Sequence, residues 1–152
     1  MAPAKSTIAA ILQPFLDFPN LDEMDKKRSL GLVYHGLAKT EQQPAVSAIY
    51  RSRALDLMFA AHRAGLPDPV LDATLSRVYF ERSDERALPL AEKALADPSL
   101  TGATRCTSLF VVAGERLRSK RYEQARAALF ELTTLRRLPD DWLLLAECEK
   151  AL

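Results

Sequence analysis

Glycine and cysteine are scarce in this sequence, with five of the first and two of the second among 152 residues. So little glycine, with nine prolines and no low-complexity run, excludes collagen-like and compositionally disordered classes. Cys106 and Cys148 lie far apart in apolar, helical-looking stretches, so they read as small buried hydrophobes and not as a disulfide framework. Long apolar runs are also missing: none approaches the roughly 18 residues that a membrane span needs. Nor does one sign of charge dominate. With 21 basic against 20 acidic side chains, the chain lacks the cationic excess of a dedicated nucleic-acid binder.

Helical periodicity is present almost everywhere. Ile8, Ile11, Leu12, Phe15 and Leu16 recur at three- and four-residue spacing in an N-terminal stretch, which predicts an amphipathic covering helix over 1–20. The stretch lacks a cleavage-site pattern, so a signal peptide is not expected and a cytoplasmic location is. Asn20 or Asp22 opens a second helix that ends near Lys39. Thr40 with Gln43 has the capping-box pattern for a third, whose stripe is Val46, Ile49, Tyr50, Arg53, Leu57, Met58 and Ala61 and whose stop is Gly65. Asp68-Pro69 is a strong helix start. Ser83 is placed to cap a fifth helix, Thr101 or Gly102 a sixth; a seventh runs from Tyr122 to about Arg137, and Pro139-Asp140 opens the last. No segment alternates at period two between hairpin turns. The expected fold class is all-α, about eight helices in antiparallel hairpins: 21–66, 67–99 and 100–138, followed by a terminal helix over 139–152, within one domain.

The hairpins have a period. Ser83-Asp84-Glu85-Arg86-Ala87 through Pro98 parallels Lys120-Arg121-Tyr122-Glu123-Gln124-Ala125 through Leu135, and the anchoring alanines Ala87 and Ala125 are about 38 residues apart. Leu30-Gly31-x-x-Tyr34 and Trp142-x-x-Leu145-Ala146 supply further marks at matching places. On these residues the chain resembles the tetratricopeptide-repeat family, whose period is about 34. Small residues in that unit let two helices approach, and aromatics fill the gap to the next hairpin. Lys27 and Leu75 depart from the pattern, standing where a Trp and a small residue belong. The resemblance implies an α-solenoid whose first helices line a groove for a peptide or helix. The positions carried over are Arg28, His35, Asp72, Ser76, Tyr79, Phe110, Leu117 and Arg118. Carboxylate-clamping members of the family use a Lys and an Asn four apart; Arg28 and Leu32 stand there, and Leu32 cannot donate.

Catalytic constellations are absent from the pattern. His35 and His62 sit in no paired motif, and there is no Cys-x-x-Cys, no Gly-x-Ser-x-Gly and no EF-hand spacing. Gly31 and Gly36 lack the preceding strand that a phosphate loop needs. Asp22, Glu23 and Asp25 cluster where carboxylates favour a helix dipole. No enzyme activity, metal or cofactor is therefore expected. Cys106, near a helix start and after Arg105, keeps a reactive thiol open as an alternative.

Surface features carry the remaining signal. Between Ala103 and Leu138 there are eight basic residues (Arg105, Arg116, Arg118, Lys120, Arg121, Arg126, Arg136 and Arg137) against Glu115, Glu123 and Glu131, which suits an acidic partner. Trp142 to Leu145 places large apolar residues on all sides of the terminal helix, more than one neighbouring hairpin can cover, so Trp142 is expected in an interface or in self-association. The expected function is protein–protein interaction, as an adaptor, scaffold or chaperone-like module. The alternative is a small helical enzyme or ligand-binding bundle with a pocket near His35 and Tyr79.

Overall fold

The computed structural model describes residues 22–152: seven helices and, among the described residues, no strand. The fold class is all-α. The expected N-terminal covering helix lies outside the described residues. The chain divides into two compact units, Met1–Pro67 and Asp68–Leu152.

In the first unit, α1 (Glu23–Thr40) packs along α2 (Pro44–Arg63). Asp22 is the N-cap; its carboxylate accepts the Met24 N–H at 3.2 Å, and Glu23 and Asp25 occupy the first turn, where the dipole favours them. Three residues connect the two helices, so side-by-side packing makes them antiparallel. At Gly31 the two helices approach closely. A Cβ there would lie 2.7 Å from Met58 Cγ, 3.1 Å from Met58 N and 3.3 Å from the Ala54 carbonyl oxygen.

Two expectations for α2 need correction. Thr40 does not cap it: Thr40 ends α1 and turns its hydroxyl back to the Leu37 carbonyl, 3.3 Å away, while α2 opens at Pro44, whose ring presets the first helical φ. Ile49 does not belong to the buried stripe either. It lies nine residues from Met58, two and a half turns of helix, so it points away from the buried Ala54–Met58–Ala61 face and is exposed.

The second unit comprises α3 (Pro69–Glu81), α4 (Ala87–Ala96), α5 (Gly102–Arg118), α6 (Tyr122–Leu135) and α7 (Pro139–Ala151). Each packs on the next in sequence, and α3 also lies against α5, so the first helices of two successive hairpins are neighbours. The helix α3 starts as read, with Asp68 accepting from the N–H groups of Val70 and Leu71 at 2.8 and 3.2 Å. Alanine makes the contacts close: Ala87, Ala91 and Ala94 on α4 and Ala125 on α6 are fully buried. Cys106, Leu109, Ala113, Ala125, Ala128, Leu129, Leu132, Leu145 and Cys148 form the main cluster of α5, α6 and α7. Ala73, Ala94 and Leu100 form a smaller one.

The helix ends share one device. At the end of α2, Leu66 N–H bonds the Ala61 carbonyl and Gly65 N–H bonds that of His62, with Gly65 at φ +79°. This paired closure recurs after α3 (Asp84 to Tyr79, Ser83 to Phe80) and after α5 (Arg121 to Arg116, Lys120 to Leu117). The left-handed residue there is Ser83 (φ 54°) or Lys120 (φ 57°). Ser83 therefore terminates α3 and does not cap α4. That helix begins at Ala87, after Asp84 has accepted the Arg86 N–H at 3.0 Å. Pro89, third in α4, loses an N–H that has no partner within the helix anyway. The helix α6 ends at Leu135, two residues short of the expectation.

Candidate functional site

The residues carried over from the repeat pattern fall in both units and in different environments. Arg28 and His35 stand half-buried on α1 of the first unit. On α3, Asp72, Ser76 and Tyr79 are buried and present no open surface to a partner. Each has an internal use. Asp72 pairs with Lys93 of α4 at 2.8 Å, and Ser76 donates to the Ala73 carbonyl at 2.8 Å. The Arg86 guanidinium covers the Tyr79 ring at 4.3 Å. On α5, Leu117 packs against the main cluster. Phe110, Arg118 and Trp142 keep solvent-facing surface.

Phe110 and Arg118 belong to a constellation that includes residues outside the carried-over set. The Phe80 ring, near the end of α3, meets Phe110 of α5 edge-on, with centroids 5.8 Å apart. Gly114 makes room for it: a Cβ there would fall 2.5 Å from the Phe80 ring. Three guanidinium groups lie against these rings. Arg118 sits 4.1 Å from the Phe80 centroid, Arg77 lies 4.5 Å from that of Phe110 and 5.7 Å from that of Phe80, and Arg136 is 5.6 Å from that of Phe110. The order is Arg118, Phe80, Arg77, Phe110, Arg136, cations alternating with aromatic faces at distances where they attract.

Carboxylates anchor each cation in the row. Arg77 Nε donates to Glu81 at 2.8 Å, Arg118 Nη1 to Glu115 at 2.7 Å, and Arg136 bonds both oxygens of Asp141. Asp141 holds the Arg136 guanidinium further above its ordinary, permanently charged range. Similar pairing thins the basic segment read from the sequence. Arg105 pairs with Glu131, Arg116 with Glu92, and Arg126 with Glu123 and Glu149. Sequence counting could not show this, because Glu92, Asp141 and Glu149 lie outside the counted stretch.

Arg77 and Phe80 were missed because the carried-over pattern takes other positions of α3. Arg136 lies in a connector that the pattern does not cover. Beyond Phe110 and Arg118, which the pattern carried over, and Arg136, counted in the basic segment, the sequence signal for the row is Arg77-x-x-Phe80, three apart on one helix face.

Elsewhere, Cys106 and Cys148 are free thiols buried in the main cluster, which removes the surface access a reactive Cys106 would need. Burial, with Glu149 and Glu147 adding to it, pushes the Cys148 thiol up. No group of three or more His, Cys, Asp or Glu among the described residues is placed to hold a metal ion, and none of their helices is long and apolar enough to cross a membrane. On α7, Asp141, Leu145 and Cys148 face inward, while Trp142 (52% exposed) and Leu143 (64%) do not. Comparison with protein-family models, with curated proteins and with solved structures finds no match to this chain.

Proposed function

We propose that this chain is a protein-interaction module, an adaptor, scaffold or chaperone-like protein built from tetratricopeptide-like helical hairpins. Its second unit takes a peptide or helix across the face where α3 meets α5. The observation that carries this reading is the Phe80–Phe110 pair, two aromatic rings on neighbouring first helices, both only partly covered. Partly exposed aromatics flanked by arginine have the composition of interface anchors. The shared closure of α3 and α5 supports the repeat, because Ser83 and Lys120 begin the two sequence stretches that resemble each other.

The test is selection from a displayed peptide library on the full chain, with Phe110→Ala beside it and far-UV circular dichroism to verify its fold. Enrichment of related peptides, with at least tenfold weaker binding to the variant, is the expected result. Failure to enrich any sequence, or equal binding by a folded variant, overturns the reading.

A second contact is proposed at α7, where Trp142 and Leu143 remain exposed and suit self-association. Sedimentation velocity over a hundredfold concentration range decides it. A monomer mass throughout rules it out.

A further inference from the structure

We infer that the arginine–aromatic row of the second unit recognises an extended acidic peptide whose carboxylates fall at alternate residues, an inference that rests on the interaction-module reading above. Three observations lead to it. First, the row holds its cations close together. Arg77 and Arg118 lie 5.7 and 4.1 Å from one Phe80 centroid, which puts their guanidinium carbons within about 10 Å of each other. Arg77 and Arg136 share the Phe110 ring at 4.5 and 5.6 Å, with the same bound. Alternate side chains of an extended strand leave its backbone about 7 Å apart on one face, a spacing that lies within that bound.

Second, the guanidinium groups have donor capacity left. A guanidinium has five N–H donors. Arg77 uses Nε on Glu81, and Arg118 uses Nη1 on Glu115 and, at 3.5 Å, on the Phe80 carbonyl. The other edges of both forks make no hydrogen bond in the structure, and both side chains are more than a third exposed. Third, the aromatic faces and the anchoring carboxylates hold these forks in place before a ligand arrives, so little rotamer freedom remains to be lost on binding. Exposed Arg82, beside Glu81, adds a further cation at this end of the row, close enough to Asp84 to help lower its carboxyl, and contributes attraction for an acidic partner. Planar forks with open edges suit carboxylates, which they engage through two parallel bonds.

Fluorescence anisotropy with synthetic eight-residue peptides on the full chain tests the inference. An alternating Glu-Ala peptide is compared with a block peptide of four Glu then four Ala, and both with a Lys-Ala peptide. Expected are at least tenfold tighter binding of the alternating peptide than of the block, no binding of the Lys peptide, and weakening as salt rises. The double variant Arg77→Gln/Arg118→Gln should lose at least tenfold. Glu81→Gln, which removes a competing carboxylate, should tighten binding severalfold, a gain that a merely structural row would not produce. Equal affinity for block and alternating peptides, unchanged affinity in a folded double variant, or no binding at millimolar peptide overturns the inference. Should the library return non-acidic peptides that depend on Phe110, the interaction-module reading survives and this one fails. If the library returns none at all, the interaction-module reading itself fails.

Discussion

Arg136 grips both oxygens of Asp141, Nε to Oδ2 at 2.7 Å and Nη2 to Oδ1 at 2.9 Å, and the carboxylate is only 1% exposed. This fork closes the connector between α6 and α7 and anchors one end of the arginine–aromatic row. Asp141 is second after Pro139 in α7, so its carboxylate also lies at the positive end of the helix dipole. Removing one partner of a buried pair leaves an uncompensated charge, which costs roughly 3–5 kcal/mol when both partners are inside. The Arg136 side chain is 31% exposed, so Arg136→Ala should cost about 2–3 kcal/mol. Urea unfolding checks it, and Arg136→Lys should recover only part of the loss, because an ammonium cannot reproduce the fork.

Gly31→Ala should destabilise the first unit by about 1–3 kcal/mol, the usual cost of overpacking. Met58 Cγ can give way, but Met58 N and the Ala54 carbonyl belong to the α2 backbone. The double variant Gly31→Ala/Met58→Ala should therefore show clear non-additivity without full rescue. Thermal unfolding of the two single variants and the double variant measures it.

Ser83→Gly and Lys120→Gly should each raise stability, by up to about 1 kcal/mol, because glycine enters the left-handed region without the penalty of a Cβ. Glycine's greater freedom in the unfolded chain offsets part of the gain. Chemical denaturation of both variants decides it. A loss at either position would mean that the side chain there contributes more than its backbone strain costs.

Acid should reach Asp84 late. The Arg86 side chain, and then the Arg86 backbone N–H, hold its carboxyl down at about 2. A depressed folded pKa means that the contribution to stability is present above the ordinary carboxylate value near 4 and is lost as pH falls from there toward 2. Asp84→Asn should flatten the stability profile in that window, slightly and less so in high salt, since the pair is at the surface. Carbon-detected NMR titration of the carboxyl would overturn this by finding a midpoint near 4.

Several elements were legible in the sequence because local chemistry decides them. Asp68-Pro69 and the glycine at 65 each act over a few residues, whereas the start at Pro44 was hidden by the capping-box pattern of Thr40 and Gln43. Gly31 was legible as a small residue at a helix crossing, and it lies against Met58. Ser83 misled because serine is a strong N-cap type, whereas the backbone bonds from Asp84 to Tyr79 and from Ser83 to Phe80 make it the end of the previous helix. Tyr79 illustrates the limit for the site. Its place on the helix could be read, but its burial depends on what packs over it, and one-dimensional spacing does not encode that. The arginine–aromatic row joins residues 77, 80, 110, 118 and 136, partners brought together only by the packing of α3 on α5 and by the connector after α6.

The closure at Gly65 has a meaning for how the chain is made. Synthesis proceeds from the N-terminus, so α1 and α2 leave the ribosome, with their three-residue link and the Gly31–Met58 contact, before Asp68 appears. Every contact that joins those two helices is between neighbours in the chain, the arrangement that folds fastest. Asp68 then supplies the cap for α3 from its own side chain and needs nothing upstream to start it. The contacts that join α1 to α2 thus need no residue beyond 67, and the hairpin is free to close once those residues have cleared the ribosomal exit tunnel.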